Sequence, residues 1–219
     1  MTVSTDAGAP AEAPVNGVTP GRGNRGLVWV IAALVVGAVL GLGAGLVIPH
    51  FTKPGDTSVE AGFLRDMSTH HAQAVEMSMI AHANSTDPEI VNLAGDIALT
   101  QHGQINYMQA WLRQWNLSPT SSQPTMAWMP DSAGEVVNGL MPGMATPDQM
   151  AALRKATGKQ LDIQYLTLMR NHHLGGIHMA QEAQDLSGNK DVDWLAGTMV
   201  SGQQSELNLI DGLLQKLQG

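Results

Sequence analysis

The stretch Phe63-Leu-Arg-Asp-Met67-Ser-Thr-His70-His71 recurs as Tyr165-Leu-Thr-Leu-Met169-Arg-Asn-His172-His173, at an offset of 102 residues. The offset outlasts the histidines. Glu60 falls on Asp162, Met77 on Met179, and Leu93-Ala94-Gly95 on Leu195-Ala196-Gly197. Further on, Gln101 falls on Gln203, Gln104 on Glu206 and Asn106 on Asn208, with no gap. Each half is therefore one structural unit, and the fold must house two of them.

Helix signals bracket each unit. Thr57-x-x-Glu60 and Thr86-x-x-Glu89 have the spacing of capping boxes, in which the two side chains satisfy free backbone donors reciprocally. Thr146-Pro147-Asp148-Gln149 is a third, with proline at the first helical position, where no hydrogen bond is lost. Asn84-Ser-Thr-Asp-Pro88 and Asp185-Leu-Ser-Gly188-Asn189 read as turns within hairpins, and Gly158 splits the third helical region into a short lead-in and a long helix. The signals predict helices over 58–84, 87–116, 159–186 and 190–217. The second carries an apolar stripe of Ile90, Ala94, Ile97, Gln101, Ile105, Met108, Leu112 and Trp115 at i, i+3/i+4 spacing. Two antiparallel hairpins bury such stripes by closing into an all-α four-helix bundle over 58–219. Its repeats are 58–116 and 159–218, joined by a Met- and Pro-rich connection over 117–158. A connection of that length is usually functional or partly disordered.

Residues 27–48, LVWVIAALVVGAVLGLGAGLVI, carry no charge. At about 1.5 Å per residue, such a run spans a hydrocarbon core of roughly 30 Å. It is longer than the apolar region of a signal peptide and lacks an evident A-x-A site, so it reads as an uncleaved transmembrane anchor. Arg22 and Arg25 precede it and only Lys53 follows closely, which orients residues 1–26 to the cytoplasm and the bundle outside. The tail 1–26, rich in Ala, Pro, Gly and Thr, lacks the means to bury a core, and 49–57 is a linker. Gly37, Gly41 and Gly45 share one face of the anchor, a surface on which a homodimer can form.

Met67, His70, His71, Ala74, Met77, Ser78 and Ala81 share one face of the first bundle helix. Met169, His172, His173, Gly176, Met179 and Ala180 share the matching face of the third. A lone histidine and methionine on an apolar face are ordinary core residues. Four of each, recurring in a duplicated unit, point instead to a metal site. Without cysteine, the soft ligand has to be thioether, and thioether with imidazole suits copper, above all Cu(I). Zinc can use the four histidines alone. Di-iron is disfavoured, because the Glu-x-x-His pair of di-iron bundles is absent: the residues three after Glu60, Glu76, Glu89, Glu182 and Glu206 are Phe63, Met79, Asn92, Asp185 and Leu209. Accessory candidates are Glu60 and Asp162, upstream on the same side, and Gln101 and Gln203, which interrupt apolar stripes. Met126-Ala-Trp-Met129 and Met141-Pro-Gly-Met144 in the connection are either further soft ligands or plugs for the open end of the bundle. His50, His82, His102 and His178 read as surface or accessory residues.

A net charge of −8 argues against nucleic acid as a partner. The chain has no cysteine nucleophile, no Gly-x-Ser-x-Gly and no P-loop, so nothing specifies an enzyme. Two functions stay open: copper sequestration or transfer at the outer membrane face, through one shared site or two, and a structural or assembly subunit of a membrane complex.

The motifs Phe63 to Met77, Met141-Pro-Gly-Met144 and Asp162 to Met179 resemble those of the bacterial family described as domain of unknown function 305, over about residues 58–218. The resemblance implies a ferritin-like helical fold and an exported protein, in a family where some members are associated with copper binding or tolerance. One departure is Gly175-Gly176, where the first repeat has Gln73-Ala74; glycine within a helix costs of order 1 kcal/mol relative to alanine.

Overall fold

A computed structural model describes Thr2 and residues 25–51, 53–130, 132 and 134–219 of the chain. Among the described residues there are six helices and no strand: α1 (Arg25–Phe51), α2 (Val59–Asn84), α3 (Pro88–Gln114), α4 (Pro147–Lys155), α5 (Gly158–Leu186) and α6 (Lys190–Gln218). The chain divides into two compact units, residues 1–52 and 53–219.

The first unit contributes α1. Its residues Trp29, Val30, Ile31, Leu34, Val35, Val36, Val39, Leu40 and Leu42 are exposed, and nothing lies near Gly37 or Gly41. Among the described residues no helix is long and apolar enough to cross a membrane. Most of the tail expected over 1–26, and the surroundings of Gly45, lie outside the described residues.

The second unit is a bundle of two hairpins. α2 packs on α3 and α5 on α6, and the hairpins meet through α2 against α5, with α4 lying on both. Ala61, Phe63, Leu64 and Met67 from the start of α2 share a core with Met179, Ala180 and Ala183 from the end of α5. Ala74, Met77 and Ala81 share another with Leu161, Tyr165, Leu166 and Met169. α2 and α5 are thus antiparallel, and the duplication is laid out about a pseudo-twofold axis between them.

The helices start where the sequence places them to within a residue or so, yet two caps differ. Ser58, not Thr57, caps α2, its hydroxyl accepting from the Ala61 N–H at 3.2 Å. Glu60 does not turn back to form a capping box. Its carboxylate reaches the opposite hairpin and accepts from the Ser187 hydroxyl and the Gly188 N–H, both at 3.1 Å. Asp87, not Thr86, caps α3: Pro88 forces its predecessor into extended backbone, the geometry a cap requires. The box at Thr146 and Gln149 forms as expected, and Ala156 and Thr157 separate α4 from α5.

The long connection is tied down at its first half. The Asp66 carboxylate accepts from the Met126 N–H at 2.7 Å and the Trp128 indole at 2.9 Å, with Trp128 edge-on to Phe63. Arg65, almost wholly buried, donates to the Asp56 and Ser118 carbonyls and to the Asp56 carboxylate. Burying a guanidinium is tolerated because its donors are matched.

Candidate metal centre

All eight sequence-nominated ligands are buried. Helical spacing and the antiparallel crossing put His70, His71, His172 and His173 at the middle of the α2–α5 contact, between the two apolar cores. The His70 and His172 rings lie 3.8 Å apart between centroids, tilted by 34°, and His70 and His71 lie 6.4 Å apart.

Each imidazole is held through Nε2. His70 Nε2 donates to the Pro142 carbonyl at 3.0 Å, and His172 Nε2 to the His70 carbonyl at 3.0 Å. His71 Nε2 bonds Gln104 Oε1 at 2.8 Å, and His173 Nε2 bonds the Glu206 carboxylate at 2.5 Å. The last two bonds are counterparts under the 102-residue offset. Every one of these partners is an oxygen acceptor, so each ring carries a proton on Nε2, and a neutral ring then presents a lone pair at Nδ1. All four Nδ1 atoms are buried without a hydrogen-bond partner.

Burial also fixes the charge. Loss of solvation pushes His70 down to about 4 from an ordinary 6.5, against the partial support of the Pro142 carbonyl. It pushes His71 down to about 3, with His70 adding to the effect, and His172 well below the ordinary range, with His70 again adding. At neutral pH these three rings are neutral, the form in which imidazole binds metals.

One side of this cluster is closed by the second half of the connection. Gln73 on α2 grips it twice, donating to the Ala145 carbonyl at 2.9 Å and accepting from the Ala145 N–H at 2.7 Å. Opposite, the backbone of Pro142-Gly143 lies directly on α5. A side chain at Gly175 would collide with the Pro142 carbonyl, and one at Gly143, whose φ is +77°, with the Asn171 carbonyl. The two repeats differ at the Gln73/Gly175 pair because a single connection can lie on only one face of a twofold arrangement.

The domain of unknown function DUF305 matches residues 60–214. The chain belongs to this family. A solved DUF305 protein from Streptomyces coelicolor is 42% identical, with a TM-score of 0.70, over 75% of this chain and 97% of that one. A DUF305 fragment from Deinococcus radiodurans is 30% identical, with a TM-score of 0.61, over 74% and 99%. CopM in its Cu(II)-bound form is 24% identical, with a TM-score of 0.57, over 73% and 97%, a likeness of fold; CopM is also matched in Cu(I)-bound, silver-bound and apo forms. No curated protein matches the chain.

Within this DUF305 bundle the methionines divide. Met67 and Met179 lie in one core, together with Met108, Met126, Met129, Met141 and Met199, and Met144 packs against it. Met77 and Met169 lie in the other. The two Met-x-x-Met pairs of the connection therefore fill the core at the Met67–Met179 end. Gln101 and Gln203 are buried; both polar atoms of the Gln101 amide and the oxygen of Gln203 lack partners. Asp162 is buried with one oxygen unpartnered, whereas its repeat mate Glu60 is engaged at the Ser187 turn. His82 binds the Val91 carbonyl, His178 pairs with Glu135, and His102 is exposed. Among the described residues, no three His, Asp or Glu side chains converge to hold an ion as they stand. The donor set nonetheless fits a soft ion: four buried, unpartnered imidazole nitrogens held from behind by oxygen acceptors, with methionines on the same helix faces.

The Nε2 partners Gln104, Glu206 and Pro142 are the functional residues that motif reading passes over. Gln104 and Glu206 were signalled by one regularity, since each lies 33 residues beyond the second histidine of its repeat. Pro142 acts through its backbone carbonyl, which side-chain identity does not advertise.

Proposed function

We propose that the chain is a membrane-anchored, extracytoplasmic copper-binding protein that sequesters the ion or hands it on, rather than an enzyme. The observation that carries this reading is the set of four buried Nδ1 atoms, two from each repeat, left without partners by histidines whose Nε2 protons are already committed. An unpaired buried polar atom is costly, and four of them on the facing helices α2 and α5 call for a ligand. Neutral rings can take up a cation without first losing a proton. Met67, Met77, Met169 and Met179 are the thioethers nearest in sequence, and they tilt the choice to copper over zinc. The copper-bound and silver-bound forms of CopM, which shares the fold, support the same class of ion. The anchor rests on the uncharged run 27–48 and its flanking arginines.

The test is Cu(I) binding by the full-length chain in competition with a chromophoric chelator. Replacing His70, His71, His172 and His173 together by glutamine is expected to abolish binding while circular dichroism still reports helix. Undiminished binding in that variant would sink the assignment.

A second reading has one observation in its favour: the side chains do not converge on a ready-made site. In it, the bundle is an assembly subunit of a membrane complex and the His–Met face is packing. A ligand that binds only the native state raises the melting temperature. No shift with Cu(I) or Cu(II) would favour the assembly role.

A further inference from the structure

We propose that the ion reaches and leaves the histidines through the cleft between α3 and α6, with the Glu206 carboxylate as its first foothold. This rests on the copper reading above. The Pro142 side is shut, because backbone lies directly on α5 there and Gln73 clamps the segment beyond it. The opposite side is built differently. α3 and α6 do not pack on each other along their lengths, although Glu89 and Lys216 join their ends. What separates them is a narrow cleft of about 30 Å³, lined by Gln101, Gln104, Met199, Gln203 and Glu206. That is room for about one water molecule, so an ion passing through it must shed its hydration shell and find replacements.

The lining supplies them. Gln101 and Gln203 turn unpartnered amide oxygens into the bundle at depths of 2% and 4% exposure, and Met199 adds a thioether. Glu206 is the one carboxylate on this wall, and at 20% exposure it touches solvent while gripping His173. A negative charge at the mouth of a constricted cleft concentrates cations and speeds their capture by about tenfold or more. At the matching position of the other wall stands Gln104, which holds His71 but carries no charge. Glutamate at position 206 is thus not required merely to orient a histidine, since an amide does that in the sister repeat.

The experiment follows transfer of Cu(I) from a chromophoric chelator to the full-length chain by stopped-flow absorbance. Glu206→Gln is expected to slow capture about tenfold. Gly202→Leu, which adds bulk at the cleft where Gly202 has open space, is expected to slow it as well. Gln104→Glu combined with Glu206→Gln moves the charge to the other wall and should restore the rate, a rescue that a purely structural role for Glu206 would not produce. Wild-type capture rates in both Glu206→Gln and Gly202→Leu, or faster capture when Gln73→Ala loosens the Pro142 side, would overturn the proposal while leaving copper binding intact. A wild-type chain that takes up no Cu(I) would remove the copper reading itself, and this inference with it.

Discussion

The two hairpins descend from one sequence pattern, yet they hold their histidines by different means. In the first, His71 leans on an amide, Gln104, and Gln73 extends a side chain to grip the connection. In the second, His173 leans on a carboxylate, Glu206, and Gly175 withdraws its side chain so that the connection can touch the helix. The shared His-His pairs, His70/His172 and His71/His173, lie at the α2–α5 contact, where the two halves face each other. Gln73 and Gly175 differ where one connection meets the two halves in different ways, and Gln104 and Glu206 differ on the α3 and α6 walls of the cleft. A single connection laid across two equivalent halves is what sets Gln73 apart from Gly175.

Acid should test this comparison most severely. His70, His71 and His172 are held below their unfolded value of 6.5, so the unfolded chain binds more protons than the bundle once the pH falls below that value. Their neutral burial is fully tolerated above pH 6.5, and stability is lost as pH falls from there toward 4. At about 1.4 kcal/mol per unit, His70 by itself removes on the order of 3 kcal/mol by pH 4, and His71 and His172 act in the same direction. Thermal melts followed by circular dichroism should therefore show a steep fall between pH 6.5 and 4. Gln104→Glu, which gives the first half the carboxylate of the second, should move that fall to lower pH by favouring protonated His71.

The adjacent glycines of α5 should separate next. Gly175→Ala drives a methyl into the Pro142 carbonyl, which neither backbone can easily vacate, and is expected to cost about 3 kcal/mol. Gly176→Ala meets only the Gln203 amide, 2.6 Å from the new carbon, and a side-chain end can swing away. Its cost should be under about 1 kcal/mol once the helix propensity gained is counted. Equal effects of the two in urea unfolding would mean that the connection does not rest on α5 as described.

Gln73→Ala has the most local effect. It removes two hydrogen bonds, about 1–2 kcal/mol, and its signature is local: the Ala145 amide should exchange with solvent faster than in the wild type while the helix amides do not.

Much of this architecture was legible in the chain. The 102-residue offset, the apolar stripes and the turn residues gave four long helices to within a few residues, because each signal is local and periodic. Two caps were misplaced, since Glu60 found a partner on the other hairpin and Pro88 dictated its own predecessor, and neither choice is visible from spacing alone. The histidine face was readable from helical geometry. The atoms that hold it were not, because Pro142 offers a carbonyl and the Gln104 and Glu206 contacts cross between helices. The Met-x-x-Met pairs looked equally suited to ligation or packing, and burial with Trp128 and Phe63 places them in the core.

The hydrogen bond from His172 to the His70 carbonyl spans 102 residues, and that from His70 to Pro142 spans 72. Synthesis delivers these parts in order: His70 and His71 first, then Gln104, then the Pro142 segment, then His172 and His173, and then Glu206 on α6. Until α5 has been made the early histidines lack their opposite pair, and until α6 has been made His173 lacks Glu206. A nascent chain therefore displays only a half-built pair of imidazoles, and the complete cluster is a property of the finished molecule.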